Sequence, residues 1–489
     1  MNSRLRTTRA TTSVFRSSRT WNNVFLLVAT NTRRSFSATA RRREIRDART
    51  LGDRIVPLYK SSSTSSLLSL EWPVPPRNVL IMPKLHAPPV IASTIEFAKH
   101  IHGEYPNLNL IFEKRIADML HDALPFPVYS SEPIHFPKRT DLVATLGGDG
   151  TILRAASLFS LHTSVPPILS FSMGTLGFLG EWKFEEFKRA WREVYMSGSV
   201  VAMSDLQGPH TQAAAALNAP SSSSSSSGQH GAEEIQKRYE GWASMRGRSM
   251  GVNRSSKMLL RHRLKVGVYD ADGVNVNEQL MPTSTAAFPV VAPPVKDILG
   301  SGKGQHPHVP DIHAINELVI HRGPNPHLAI VDVYVGNRFL TEAVADGILI
   351  STPTGSTAYS LSAGGTIIHP LTKAMLLTPI CARTLSFRHL SLPLNKKVVL
   401  KVSKKNRGRE LEVSIDGKRK AGVTIGMEIR VTGEEVGRKS KGPDGCRDNS
   451  WTGGVPCVIR SSGQGDEGDD DDGWVGGLNE RLKFNYPVG

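Results

Sequence analysis

The chain has 489 residues, 39% hydrophobic and 21% charged, which is typical of a globular protein long enough for two domains. No run of 18 apolar residues occurs, so we expect no transmembrane helix and no integral membrane partner. The net charge of +16 comes mostly from twelve Arg in residues 1–50, and no nucleic-acid-binding motif accompanies it, so we expect no nucleic-acid partner.

The first segment of the chain has the composition of a targeting sequence. Residues 1–43 are rich in Arg, Ser and Thr and contain no acidic residue, which is typical of a mitochondrial transit peptide. We therefore predict that residues 1–50 form a transit peptide for the mitochondrial matrix, cleaved between Arg34 and Thr50. A basic tail without a targeting role is the alternative.

The next part of the chain is predicted to be a linker followed by an α/β domain. Residues 51–77 are rich in Ser and then Pro, which is typical of a linker. In residues 78–195, apolar runs alternate with amphipathic segments, which predicts a parallel sheet covered on both faces. The predicted strands are Asn78–Met82, Asn109–Phe112, Asp141–Leu146 and Pro167–Phe171, and the predicted helices are Val90–Ile101, Lys114–His121 and Thr151–Phe159.

Residues 196–432 are predicted to form a β-rich second domain, because their apolar runs are rich in Val, Ile and Leu. The predicted strands are Leu259–Tyr269, Ala314–Ile320, Ala329–Val335, Gly347–Ser351, Lys397–Val402, Glu410–Ile415 and Gly426–Val431. Three polar or low-complexity segments have too little apolar surface to offset the entropy of ordering, and we predict disordered inserts at 207–250, 271–310 and 435–472. Residues 473–489 regain apolar character and are predicted to dock on the folded body.

The sharpest motif, Gly147-Gly148-Asp149-Gly150-Thr151, joins a predicted strand to a predicted helix. Its glycines permit a tight turn, and their N–H groups, together with the helix N-terminus, favour a phosphate. Asp149 is placed to orient a hydroxyl, accept its proton or help hold Mg²⁺. A glycine turn with a capping Asp is the purely structural alternative.

Three further motifs follow or begin predicted strands. Phe178 lies in the Gly-rich run Met173–Gly180, where its ring could stack on a base or belong to the core. The Asn316-Glu317 pair offers the donors and acceptors that ribose hydroxyls need. The hydroxyl-rich run Asp346–Gly365 contains Tyr359, whose flat ring suits adenine. A turn explains any one of these motifs, but it explains the whole run from Asp346 poorly.

Two other features are interpreted structurally. The run Ser414–Lys418 is predicted to be a β-hairpin with an Asp-Gly turn, although Lys418 could reach a phosphate. We predict no metal site built from protein side chains, because no set of ligand residues has a convincing spacing among His306, His308, His313, Cys381, Cys446 and Cys457.

Taken in this order, the motifs resemble those of the NAD kinase family. The resemblance covers roughly residues 78–200, 255–270, 311–432 and 474–486. Diacylglycerol kinases, sphingosine kinases and phosphofructokinases share the Gly-Gly-Asp-Gly-Thr turn, whereas the Thr-Ala-Tyr run is much more specific. The resemblance implies a Rossmann-like N-terminal domain and a β-sandwich C-terminal domain. It also implies ATP as phosphoryl donor, Mg²⁺, NAD or NADH as substrate, and a homo-oligomer, and the transit-like start resembles fungal mitochondrial members.

The resemblance also implies roles for particular residues. Asp149 would be the catalytic acid–base residue, and the phosphate turn would contribute Gly147, Gly148, Gly150 and Thr151. The expected dinucleotide contacts are Asn316, Glu317, Asp346, Thr357, Ala358, Tyr359, Ser360, Leu361 and Ser362, with Arg154 and Phe178 as secondary candidates. The alternatives are a lipid kinase of the diacylglycerol or sphingosine type and a non-catalytic NADP(H)-binding protein.

Overall fold

A computed structural model describes residues 44–61, 66–105, 107–174, 177–180, 182–198, 255–277, 310–384, 386–438 and 451–460, together with 474, 477, 478 and 482. An α/β part built on one large sheet is followed by a sandwich of two antiparallel sheets. The predicted fold class, a Rossmann-like domain with a β-sandwich domain, is therefore confirmed. No helix in the described ranges is both long and apolar enough to span a bilayer.

The large sheet is built mainly from the N-terminal half of the chain. Its first ten strands are β1 Ile45–Asp47, β2 Leu58–Ser61, β3 Leu68–Glu71, β4 Asn78–Pro83, β5 Asn109–Ile111, β6 Val128–Ser130, β7 Leu142–Gly147, β8 Ile168–Ser172, β9 Trp182–Lys183 and β10 Lys257–Arg261. The central strands β6-β5-β4-β7-β8 are parallel and hydrogen-bonded in that order. The direction of winding therefore reverses between β4 and β7, and in such sheets ligands bind beyond the carboxyl ends of the strands at this switch point.

Helices cover this sheet because their apolar residues recur at helical spacing. In α5, the buried residues Phe187, Ala190, Trp191 and Val194 lie on one stripe, and Trp191 meets Phe97 of α1 edge-on with ring centroids 5.7 Å apart. The α-helices are α1 Pro88–Glu104, α2 Lys114–Leu120, α3 Phe136–Arg139, α4 Asp149–Ser157, α5 Phe187–Tyr195 and α6 Tyr359–Ser362. Short 3-10 helices occupy Ala48–Thr50, His121–Ala123, Pro133–His135, Phe184–Glu186 and Thr354–Thr357.

The sandwich consists of two six-stranded sheets in the orders β12-β11-β22-β19-β14-β15 and β18-β17-β16-β13-β20-β21. Alternate residues such as Val331 and Val333, or Leu411 and Val413, point into the shared core. The strands are β11 Leu264–Tyr269, β12 Ile312–Ala314, β13 Glu317–His321, β14 Ala329–Val335, β15 Arg338–Ala345, β16 Gly347–Ser351, β17 Ala374–Ile380, β18 Leu390–Pro393, β19 Val398–Val402, β20 Glu410–Ile415, β21 Lys418–Thr424 and β22 Glu428–Gly433.

The chain returns to the large sheet after the sandwich, and this return was not predicted. A two-stranded ribbon of β23 Gly437–Arg438 and β24 Trp451–Thr452 leads to β25 Val455–Val458. Strand β25 is buried between β8 and β10. The prediction of a disordered insert over 435–472 is therefore wrong for 435–438, which contains β23, and for 451–460, where a short apolar strand lies among Gly and polar residues. Residues 439–450 and 461–473 lie outside the described part.

The predicted linker at 51–77 is also wrong. Strands β2 and β3 pair with each other, and β3 pairs with β10. Leu70 and Trp72 are buried, and the Trp72 indole N–H donates to the carbonyl of Val194 at 2.8 Å. Order begins before Asn78 as well, because β1 pairs in parallel with β6. Residues 44–50 thus belong to the fold rather than to a leader, and the local apolar alternation outweighs the Ser- and Pro-rich composition.

The predicted domain boundary at 195/196 is also wrong, because β10 still belongs to the large sheet and the sandwich begins only with β11. The run Leu259–Tyr269 is two strands, because the chain crosses from the large sheet to the sandwich at His262-Arg263, between β10 and β11. The insert predicted at 271–310 begins too early, since Val276 and Asn277 are buried. Its remainder at 278–309 and the whole of 207–250 lie outside the described residues. At the C-terminus, the Trp474 ring centroid lies 4.6 Å from that of His369, and the docking of residues 473–489 as a whole stays a prediction, because only 474, 477, 478 and 482 are described.

Candidate active site

The Gly-Gly-Asp-Gly-Thr turn joins β7 to α4 beside the switch point of the sheet. Gly147 has φ +155°, and a Cβ there would lie 2.4 Å from Thr151 Oγ1, so the tight turn requires glycine. A Cβ at Gly148 or Gly150, by contrast, would meet nothing within 4 Å. The space in front of these two glycines is open at a helix N-terminus, which is the arrangement that accepts phosphate.

Asp149 begins α4 and is held against residues 177–180, here called the Phe178 loop. Its Oδ2 accepts the N–H of Phe178 at 2.8 Å, and its Oδ1 accepts the N–H of Leu179 at 3.0 Å. A Cβ on Gly177 would lie 2.0 Å from Asp149 Oδ1, so glycine is needed for this approach. Arg261 donates to the Phe178 carbonyl at 3.3 Å. Each carboxylate oxygen has more than one acceptor site, so Asp149 can also accept a substrate hydroxyl.

Arg154 lies on α4 but is engaged within the α/β domain. Its Nη2 donates to the carbonyl of Pro83, the last residue of β4, at 2.7 Å, and it pairs with Glu113 at 3.3 Å. Both partners lie at the carboxyl ends of β4 and β5. The Arg154 side chain therefore links α4 to the ends of the strands at the switch point. Its predicted contact with the dinucleotide stays a prediction.

Asn316 and Glu317, at the corner between β12 and β13, offer buried polar atoms to a ligand. Both residues are only 6% exposed. Asn316 Oδ1 and Glu317 Oε2 have no hydrogen-bond partner in the described part of the chain. Burial, assisted by the nearby Asp416 carboxylate, raises the pKa of Glu317 to about 8. Buried polar groups are normally hydrogen-bonded, so this pair is suited to a polar ligand.

Asp416 is a further candidate site residue, one that sequence reasoning missed. Asp416 and Gly417 form the two-residue turn between β20 and β21, with φ of +48° and +72°, and the predicted hairpin is confirmed. The Asp416 carboxylate accepts the N–H groups of Ile315, Asn316 and Glu317 at 2.9, 2.7 and 3.2 Å. Burial raises the pKa of Asp416, and these three N–H groups oppose the rise.

The same hairpin also reaches the helix that carries Asp149. Lys418 Nζ donates to Ser157 Oγ of α4 at 2.6 Å. The turn between β20 and β21 therefore contacts both the Asn316-Glu317 corner and α4. The Asp-Gly pair marked the turn in the sequence, but nothing there indicated what its side chains contact.

The hydroxyl-rich loop after β16 packs directly on Asn316. A Cβ on Gly355 would lie 2.2 Å from the Asn316 carbonyl oxygen, and the Thr352 N–H donates to that oxygen at 2.9 Å. The Tyr359 side chain begins α6 and is 39% exposed. Two motifs that are distant in the sequence are thus brought together, as the dinucleotide-site prediction requires.

The other residues of this loop differ in what they present to a ligand. The Ser360 hydroxyl is buried against Thr378 Oγ1 at 3.0 Å, so it faces the core. Thr357 Oγ1 donates to the Thr354 carbonyl at 3.1 Å. Ser362 is exposed, whereas Ala358 and Leu361 are half-buried.

Asp346 lies beside the same loop, immediately before β16. Its Oδ1 accepts a hydrogen bond from Arg322 Nε at 2.7 Å. Ala363, at the end of the same loop, packs against the cluster of Val319, Leu349 and Ile380, and the Ile380 carbonyl accepts the N–H of Asp346 at 3.0 Å. Asp346 is therefore held close to the end of the loop that carries Tyr359.

Comparison with known proteins agrees with this geometry. Residues 113–200 match the ATP-NAD kinase N-terminal domain, and residues 315–436 match the ATP-NAD kinase C-terminal domain. The first range contains Asp149, and the second contains Asn316, Tyr359 and Asp416. The two matched domains thus cover both halves of the candidate site.

Similar whole proteins belong to the same group. The mitochondrial NADH kinase of Schizosaccharomyces pombe is 33% identical over 91% of this chain and 86% of its own length. The mitochondrial NADH kinase of Saccharomyces cerevisiae is 30% identical, over 87% and 85%. The crystal structure of yeast NADH kinase complexed with NADH aligns with 29% identity and a TM-score of 0.64, covering 91% of this chain and 98% of that one. With these matches across both domains, the chain belongs to the ATP-NAD kinase family of enzymes.

Proposed function

We propose that this enzyme transfers the γ-phosphoryl group of ATP to the adenosine-ribose 2′-hydroxyl of NAD or NADH. The observation that carries the proposal is a pair of buried atoms without a partner among the described residues, Asn316 Oδ1 and Glu317 Oε2, packed against the loop that carries the exposed ring of Tyr359. The ribose of an adenosine offers hydroxyls to the two buried polar atoms, and its adenine offers a flat face to the Tyr359 ring. An apolar lipid substrate would leave both buried polar atoms unpaired.

Asp149 supplies the acid–base chemistry in this proposal. The substrate 2′-hydroxyl donates to its carboxylate, and the oxygen attacks the γ-phosphorus as the bond to the β-phosphate oxygen breaks. The proton passes to Asp149, and ADP leaves. The two hydrogen bonds from the Phe178 loop fix the carboxylate in place, so catalysis rests on positioning and on electrostatic stabilisation at the glycine turn.

The residues present fit a magnesium ion that arrives with ATP. Across the described ranges, no group of three His, Cys, Asp or Glu side chains could hold a metal ion. Magnesium is usually bound by substrate phosphates and one or two carboxylates, and Asp149 at the phosphate turn supplies one. When bound, the ion would neutralise charge on the transferred phosphoryl group.

The cellular setting and assembly of the enzyme are part of the proposal. Both fungal relatives quoted above are named as mitochondrial NADH kinases, and residues 1–43 are acid-free and rich in Arg. We therefore place the enzyme in the mitochondrial matrix and expect it to accept NADH. The homo-oligomer implied by the family is measured by light scattering of the purified chain.

A product assay with three acceptors tests the function. The purified protein is incubated with ATP, Mg²⁺ and either NAD, NADH or diacylglycerol. We expect NADP or NADPH, identified by a dehydrogenase specific for the 2′-phosphate, and the two progress curves give the preference. A phosphorylated lipid would favour the lipid kinase alternative, and tight NADP(H) binding without turnover would favour the non-catalytic one.

A further inference from the structure

Between β10 and β25, the described residues include one passage from the large sheet to the sandwich and one passage back, and the residues at these two crossings are paired with each other. Arg263 lies between β10 of the large sheet and β11 of the sandwich. Glu434 follows β22, where the chain leaves the sandwich on its way back to β25. The Glu434 N–H also donates to the Arg263 carbonyl at 2.9 Å. These two crossings therefore lie side by side.

The Arg263 guanidinium ties this junction to the segment that follows α4. Its Nε and Nη2 donate to the two carboxylate oxygens of Glu434 at 2.7 and 2.6 Å. The remaining contacts go to the carbonyls of Phe159, from Nη1 at 3.1 Å, and His162, from Nη2 at 2.8 Å. The side chains of Arg263 and Glu434 are 2% and 4% exposed. This bidentate fork is a geometry that Lys cannot reproduce.

Glu434 extends the cluster to the Asn316-Glu317 corner and to the returning strand. Its Oε2 accepts the N–H of Gly454, just before β25, at 2.7 Å. His313 Nε2 lies 3.5 Å from Glu434 Oε1, and His313 Nδ1 lies 2.7 Å from the Ser160 carbonyl. His313 is three residues before Asn316. One buried cluster thus contacts the segment that follows the catalytic helix and the strand that leads to the ribose contacts.

We propose that Arg263 and Glu434 are positioning residues that fix the helix bearing Asp149 relative to the Asn316-Glu317 corner. The inference rests on the proposed function of Asp149. Helix α4 has nine residues and spans about 13 Å, so it acts as a short rigid rod whose far end is anchored by this cluster. A buried ion pair adds little net stability compared with apolar residues, whereas its fixed geometry can set the distance between two halves of a site.

Arg263→Lys tests the inference, because it keeps the charge and loses the fork. A misplacement of about 1 Å can cost on the order of 10²-fold in rate, so we expect kcat to fall about 10- to 100-fold. The Kd for NADH, measured from nicotinamide fluorescence, should stay within about threefold, because Asn316, Glu317 and Tyr359 all lie on the sandwich side. The matched control is Arg430→Lys, since Arg430 pairs with Glu428 on its own strand β22.

Two further measurements keep the test decisive. Glu434→Gln should lower kcat in the same way, and the double variant should be no slower than Arg263→Lys, because the pair acts as a unit. Hydrogen exchange of the peptide spanning 149–162 should quicken in Arg263→Lys, and this readout needs no turnover. If the parent lacks kinase activity, the proposed function fails, but hydrogen exchange of residues 149–162 still tests whether Arg263 and Glu434 hold α4 in place. Parent-like kcat and exchange, or equal losses of kcat and NADH affinity, would overturn the inference.

Discussion

At the scale of single residues, the candidate site contains two kinds of polar group: those that already have hydrogen-bond partners in the protein, and those that have none among the described residues. Asp149 and Asp416 accept backbone hydrogen bonds and build the site. Asn316 Oδ1 and Glu317 Oε2 have no hydrogen-bond partner among the described residues, and the Tyr359 ring is exposed, so these are the groups that we propose meet the dinucleotide. Substitutions in the second group should therefore change binding more than stability.

Tyr359→Ala should weaken NAD(H) binding by roughly 5- to 150-fold, because stacking of an aromatic ring on a base is worth about 1–3 kcal/mol. The loss should appear mainly in apparent dinucleotide affinity, since stacking acts in both ground and transition states. Phe339→Ala is the control, because Phe339 is 57% exposed near the opposite end of β15 from Asp346. Unchanged affinity for both NAD and NADH in Tyr359→Ala would show that this loop is not the dinucleotide site.

Glu317 should give the folded protein a measurable pH dependence. Its pKa is raised from 4.5 to about 8, so the native state holds a proton that the unfolded chain releases near pH 4.5. Because the folded-state pKa is raised, the contribution of Glu317 to stability is fully present below about pH 4.5 and is lost as pH rises towards 8. In Glu317→Gln this loss should be absent, and since one pKa unit is about 1.4 kcal/mol, the difference should reach at least that order.

Melting temperatures at pH 5.5 and 8.5 measure this effect. Relative to the parent, Glu317→Gln should gain stability between the two values, whereas the exposed control Glu104→Gln should follow the parent. A parent-to-variant difference that does not change with pH would contradict the assignment of a neutral buried carboxyl at position 317.

At the scale of elements, the sequence predicted local structure such as turns and strands, but it did not predict which distant segments pack or pair with each other. The sequence correctly placed the Gly-Gly-Asp-Gly-Thr turn between a strand and a helix, because its glycines have a local conformational cause. It could not divide Leu259–Tyr269 between two sheets, because both halves are equally apolar and the break is set by the interdomain crossing. The role of Asp416 was hidden for the same reason, since its partners are about 100 residues away.

Asp416→Ala tests the contribution of the hairpin turn. The substitution leaves the N–H groups of Ile315, Asn316 and Glu317 without their acceptor, and an unsatisfied buried donor costs about 1–3 kcal/mol. We expect a loss of about 2–4 kcal/mol in the free energy of unfolding, with weaker NADH binding. Asp416→Asn should lose less, because Asn tolerates the positive φ and keeps one acceptor. Equal stability of Asp416→Ala and the parent by urea titration would refute this role.

At the scale of the whole molecule, the fold class and the kinase family were readable from the sequence, while the extent of the large sheet was not. Composition suggested a linker and an acidic insert where β2, β3 and β25 extend the sheet. Short apolar strands in polar surroundings gain their stability from neighbours that lie far along the chain, which local composition does not reveal. The ordered body therefore reaches further towards the N-terminus than predicted.

This extent sharpens the predicted processing site. Because Ile45–Asp47 pairs with β6, we expect import to remove residues up to a point between Arg34 and Glu44. N-terminal sequencing of the organellar protein measures this. Deleting residues 1–43 should preserve activity, whereas deleting 1–61 should destabilise the sheet by removing β1 and β2. An intact Met1 on the organellar protein, or a terminus beyond Asp47, would contradict the prediction.

The most direct test of the account is the turnover of Asp149→Asn with ATP, Mg²⁺ and NADH. A general base contributes about 10²–10⁴-fold, so kcat should fall by that factor. The melting temperature should fall only modestly, because Asn keeps an acceptor for one of the two N–H groups of the Phe178 loop and loses the other. Asp118→Asn on the exposed face of α2 is the control and should turn over like the parent. A folded Asp149→Asn enzyme with a parent-like kcat would contradict the assignment of Asp149 as the residue that accepts the 2′-hydroxyl proton.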